Sequence, residues 1–171
     1  MSSSKLREID NTDAEGRLIL ADALIYGSNF SPKAMVTVAT LTGAIDVALG
    51  SEFLGVFASS NNLWKEIDKS GNLSGDSCWR CATLSSRPWS VNTFRMPLTK
   101  GYQQQLKKSV VADFVNAAGR SGGACTAAAF LWHFAGKIPF AHIDMAGTMI
   151  NKNPSGHLSK GMNGIRHSMQ H

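Results

Sequence analysis

The sequence predicts an α/β fold, a three-layer α/β/α sandwich around a mostly parallel sheet. Short apolar runs rich in β-branched residues alternate with Leu- and Ala-rich helical stretches, the order that builds a layered fold. A chain of 171 residues, 43% hydrophobic and 17% charged, is long enough to bury one core of ordinary domain size. General disorder is excluded on the same ground.

The elements follow in order. Residues 18–26 (LILADALIY) are strong helix formers. Residues 29–32 read as a loop. The run 34–41 (AMVTVATL) reads as a buried strand. Residues 42–49 predict a short helix ended by Gly50. A second strand is expected over 53–58 and a charged helix over 63–69. Residues 109–115 predict a third strand, 121–136 (SGGACTAAAFLWHFAG) a small-residue helix, and 140–146 (FAHIDMA) a fourth strand. Residues 77–95, polar, aromatic and aperiodic, read as a long loop interrupted by Pro88. The tail 151–171 lacks an amphipathic pattern and is expected to be loosely held.

Several classes fall away on composition. Three cysteines make no disulfide scaffold. Residues 1–10 hold no apolar stretch of the kind a secretory signal needs, so a cytoplasmic, reducing location is expected. No apolar run approaches the roughly 18 residues of a membrane helix. The net charge of +5 is dispersed, with Lys107-Lys108 the only adjacent basic pair, so neither nucleic acid nor a membrane is expected as a partner.

The most informative segment is Asn11-Thr12-Asp13-Ala14-Glu15-Gly16-Arg17-Leu18. In an extended or looped backbone, Asp13 and Glu15 project to one side, where two hard oxygen donors can hold divalent cations. Arg17 could set its fork over an anion nearby. The same spacing also fits a plain helix start: Thr12 or Asp13 as cap, Glu15 in the first turn, Arg17 in a surface ion pair. Other candidates have simpler readings. Cys78-Trp79-Arg80-Cys81 lacks the second pair that a zinc site needs. Cys125 reads as a packing residue. The run Gly119-Arg120-Ser121-Gly122-Gly123 could cradle an anion but lacks a P-loop ending, and reads as a turn into a helix. His142 and Asp144 read as a satisfied polar pair at a strand end.

The eight residues Asn11 to Leu18 resemble, without a mismatch, the signature octapeptide of the leucyl (cytosol) aminopeptidase family. The likeness continues through Ala39-Thr40-Leu41-Thr42-Gly43-Ala44, through Gly123-Ala124-Cys125-Thr126-Ala127-Ala128-Ala129-Phe130-Leu131, and through Ala141-His142-Ile143-Asp144-Met145-Ala146-Gly147. It covers residues 9–162 except 81–95. The resemblance implies a metal-dependent exopeptidase that removes N-terminal residues such as leucine, using two divalent cations, zinc or manganese. It implies Asp13 and Glu15 as metal ligands, and Arg17 as the catalytic residue that holds a bicarbonate ion. Thr40, Leu41, Thr42 and Gly43 would line the substrate site, with Ala146 and Met149 forming the side-chain pocket. Peptides are the implied substrates, and a homo-oligomer, a hexamer in the family, the implied assembly.

In the family, a lysine and two aspartates that complete the metal shell, and a second, catalytic lysine, lie before the octapeptide. Ten residues precede it here, and Lys5 does not sit in the matching motif. The resemblance therefore implies the C-terminal portion of a catalytic domain over residues 1–171, partial on its N-terminal side, with 81–95 as an inserted loop. The alternative reading is a non-catalytic relative acting as a scaffold or assembly subunit.

Overall fold

The computed structural model describes residues 7–74, 78–79, 96–150 and 160–161. In chain order its elements are β1 (Arg7–Glu8), α1 (Gly16–Ser28), β2 (Met35–Ala39), α2 (Gly43–Leu49), β3 (Leu54–Ala58) and α3 (Asn61–Ser74). There follow β4 (Cys78–Trp79), α4 (Lys100–Leu106), β5 (Phe114–Val115), α5 (Gly123–Ala135) and β6 (Phe140–Asp144).

The main sheet has the order β2-β6-β3-β4. β2 runs parallel to β6, with Met35 opposite Phe140 and Ala39 opposite Asp144. β3 runs antiparallel to β6, and β4 parallel to β3. The sheet is therefore mixed. The chain leaving β2 is not carried back to the far end of the sheet, so β3 starts near where β2 stopped and returns.

Alternating side chains divide the core between the two faces. Val56, Ala58 and Ala141 pack against Trp64 of α3. On the other face Phe140 packs with Ala21 and Leu24 of α1 and with Phe130, Leu131 and Phe134 of α5. Helices thus cover both faces, as the three-layer expectation requires. Each large side chain buried there contributes roughly 1.5–3 kcal/mol of transfer free energy. α5 is buried almost all round, and its Ala127-Ala128-Ala129 run lets neighbouring helices approach closely.

Expectation and structure part in several places. Only Phe114–Val115 of residues 109–115 form a strand, and it pairs with β1 in a separate two-stranded ladder. Ser109 Oγ accepts from the amides of Val111 and Ala112, a local turn that replaces strand pairing and leaves Val110 and Val111 exposed. Within the loop expected over 77–95, Cys78–Trp79 instead extend the sheet beside β3. The inserted loop expected over 81–95 and most of the tail lie outside the described residues. The helix over 63–69 extends to Asn61–Ser74. Helix α4 was not expected at all. Gly50, with φ 61°, ends α2 as predicted.

Two predictions follow from this packing. Gly147 lies so close to α2 that an added Cβ would collide with the Gly50 carbonyl oxygen and approach Asp46 Cα at 3.1 Å. Gly147→Ala should therefore lower the unfolding free energy by about 1–3 kcal/mol, read by urea denaturation. A wild-type midpoint would show that the backbones separate freely. Among the described residues β2 forms one edge of the main sheet, and its Val36 and Val38 are 47% and 56% exposed. An unguarded edge of this kind templates further strands. The chain should self-associate in sedimentation velocity runs, and Val36→Lys with Val38→Lys should reduce this.

Candidate active site

The octapeptide folds as a short 3-10 turn, Thr12–Ala14, running directly into α1. Asn11 caps the turn: its Oδ1 accepts from the Asp13 amide at 2.9 Å. Neither expected cap, Thr12 or Asp13, fills that role. Glu15 occupies the position before α1, and no side-chain hydrogen bond from it caps the helix. Asp13 and Glu15 both expose their side chains. Arg17 does not form the surface ion pair of the helix-start reading. It is 8% exposed, and its Nη1 donates to the Asn116 carbonyl at 2.8 Å.

Asn116, just past β5, is fully buried. Its Oδ1 accepts from the amides of Asp10 and Asn11, and its Nδ2 donates to the Asn11 carbonyl. Its own amide donates to Glu8. One residue therefore fixes the chain on both sides of Asp13 and Glu15. No motif around Asn116 announced this. The sequence predicts only a strand over the preceding residues 109–115.

The expected substrate segments meet at the C-terminal ends of β2 and β6. Thr40 and Gly43 are exposed, Leu41 and Met149 half-buried, and Thr42 and Ala146 buried. Asp144 joins the two segments. Its Oδ1 accepts from the amides of Leu41 (3.0 Å), Thr42 (3.4 Å) and Ala146 (3.3 Å), and its Oδ2 from Thr42 Oγ1 (2.6 Å). Thr42 Oγ1 in turn accepts from the Ile45 amide and caps α2. The octapeptide touches this loop at Gly16, where an added Cβ would stand 3.3 Å from Leu41 Cδ1. The acid at the end of the apolar run 140–146 was the available signal for this anchor. Asp144 is satisfied as expected, but by the backbone and Thr42 rather than by His142.

Buried charge sets the local electrostatics. Burial lowers the Arg17 pKa from its ordinary value, and the charge of Asp144 opposes that shift. Burial also pushes the Asp144 carboxyl up, while its hydrogen bonds from Thr42, Ala146 and Leu41 pull it back. His142 is fully buried, and its Nδ1 meets Thr37 Oγ1 at 2.9 Å. Its Nε2 has no partner among the described residues. Burial, partly opposed by Thr37 and reinforced by Arg17, lowers its pKa to about 4.

Among the described residues no group of three or more His, Cys, Asp and Glu side chains converges. Asp13 and Glu15 suit a hard divalent cation in donor type. They supply only part of a shell that takes about six oxygens.

A pH dependence of stability follows from His142. The folded state holds it neutral below the ordinary histidine pKa, so it binds fewer protons than the unfolded chain between about pH 6.5 and 4. Its contribution is complete above pH ~6.5 and lost as the pH falls towards 4, at most about 3 kcal/mol. Urea denaturation of wild type and His142→Gln across that range should give a steeper loss for wild type. Equal slopes would assign the loss elsewhere.

The profile of the family described as "Cytosol aminopeptidase family, catalytic domain" matches residues 1–169. The cytosol aminopeptidase of Dictyostelium discoideum is 44% identical over 164 residues, which is 95% of this chain and 29% of that protein. The cytosol aminopeptidase of Homo sapiens is 47% identical over 164 residues, covering 95% of this chain and 28% of that protein. A mutant of tomato leucine aminopeptidase superposes with a TM-score of 0.74 at 40% identity, covering 86% of this chain and 26% of that one. The chain thus spans under a third of the length of the relatives it matches. With nearly all of its residues matched by that profile and almost half identical to those relatives, the chain belongs to the cytosol aminopeptidase family, within the catalytic domain.

Proposed function

We propose that this chain supplies the carboxylate and arginine side of a metal-dependent aminopeptidase site, acting in hydrolysis of N-terminal residues such as leucine from peptides. The observation that carries the reading is the folded octapeptide. Its two carboxylates are exposed on the turn that leads into α1, its arginine is buried on the Asn116 carbonyl, and Gly16 between them lies against Leu41. The names of the relatives, cytosol and leucine aminopeptidases, support the same reaction.

Each residue then has a physical task. Asp13 and Glu15 would hold the divalent cations, zinc or manganese, with Glu15 between two of them. Such cations, when bound, polarise the scissile carbonyl and lower the pKa of the attacking water. Arg17 would hold a bicarbonate ion with the further N–H donors of its fork, as the Asn116 carbonyl orients the guanidinium. The exposed Thr40 and Gly43 would receive the peptide backbone, held in place by the Asp144 clasp on Leu41 and Thr42. Ala146 and Met149 would shape the pocket for the N-terminal side chain. A location in the cytosol and assembly as a homo-oligomer, hexameric as in the family, belong to the same reading.

The test is a chimera in which this chain replaces the matching stretch of the human relative. With manganese present it should hydrolyse a leucyl chromogenic amide, and Glu15→Ala should lower kcat/KM by roughly a thousandfold, about 4 kcal/mol of transition-state stabilisation. Unchanged turnover in Glu15→Ala would overturn the assignment. The 171-residue chain by itself should turn over well below about 1 per second, because two carboxylates fill so little of the shell.

A further inference from the structure

We propose that Asn116 is a positioning residue for the Asp13 and Glu15 carboxylates, setting their backbone before any cation binds; the inference rests on the metal-site reading above. Asp13 and Glu15 expose their side chains, and no hydrogen bond from Glu15 caps α1. Their placement therefore depends on the backbone that carries them. That backbone is pinned on one side by the Asn116 side chain, through the amides of Asp10 and Asn11 and the Asn11 carbonyl. It is pinned on the other side by the Asn116 carbonyl, which accepts from Arg17 Nη1 at 2.8 Å. Asn11 passes the constraint on, since its own Oδ1 accepts from the Asp13 amide.

The chemistry requires a carboxamide. Two of the three side-chain bonds need an acceptor, and the third needs a donor facing the Asn11 carbonyl at 2.6 Å. Aspartate has the same shape but would set oxygen against oxygen there. It would also bring a negative charge close behind the site. Charge alone would then strengthen cation binding, whereas lost positioning would weaken it. The two effects have opposite sign, which makes Asn116→Asp decisive.

Manganese(II) binding to the full chain, followed by electron paramagnetic resonance, tests this without any turnover. Asn116→Asp should weaken binding by ~10–100-fold, the usual scale for groups that orient metal ligands. Thr37→Val, which removes a different buried hydrogen bond, should lower stability and leave manganese affinity unchanged. Wild-type or tighter binding in Asn116→Asp, with Asp13→Ala and Glu15→Ala both weakened, would overturn the role of Asn116 and leave the metal site standing. Unchanged binding in Asp13→Ala and Glu15→Ala would overturn the metal site and this inference with it. Should Asn116→Asp fail to fold, amide hydrogen exchange on the metal-free wild type decides. Protected Asp10 and Asn11 amides support a backbone set in advance, and unprotected ones overturn it.

Discussion

A carboxylate taken out of water must have its lone pairs met inside the protein, and Asp144 meets that demand at the end of β6. Three backbone amides and one hydroxyl converge on it from two segments about a hundred residues apart. An uncompensated buried carboxylate would be among the most costly features the fold could carry. The chain after β2 and the chain after β6 therefore have to arrive together and in one arrangement. The parallel register that sets Ala39 opposite Asp144 delivers them there. The start of α2 is tied to the same point, because the Thr42 hydroxyl that donates to Asp144 also receives the Ile45 amide.

A second constraint of the same kind governs the octapeptide. Arg17 is inside the molecule while the two acids around it stay in water. A guanidinium has only donors, so a buried one needs acceptors in fixed places, and the Asn116 carbonyl is one. Asp144 and Arg17 also feel one another electrostatically. The loop after β2 and the carboxylate turn are thus linked both by the contact of Gly16 with Leu41 and by buried charge. Ligand sites in open α/β sheets lie beyond the carboxyl ends of strands, where the segments after β2 and β6 meet.

His142 sits one step further inside, stacked on Phe57 and bonded to Thr37. Neutral imidazole is the form that a dry environment and a nearby guanidinium favour. It belongs to the buried interior of the sheet.

The sequence by itself determined most helices and three strands of the central sheet, β2, β3 and β6, because their apolar periods are local properties of the chain. Eight consecutive residues carry both carboxylates and the arginine of the candidate site, so the identity of those side chains needed no tertiary information. Tertiary structure decided the rest. The antiparallel setting of β3 depends on its pairing with β6, a matter of tertiary contact rather than of local pattern. The pairing of Phe114–Val115 with Arg7–Glu8, and the use of Cys78–Trp79 as a strand, rest on hydrogen bonds to distant partners that no local period encodes. Whether Arg17 lay on the surface or inside could not be read from its spacing to Asp13. The answer lies in Asn116, ninety-nine positions away, whose carbonyl accepts from the buried guanidinium. Hydrogen-bond satisfaction inside a protein is a property of what the fold brings together, and a sequence read along its length does not contain it.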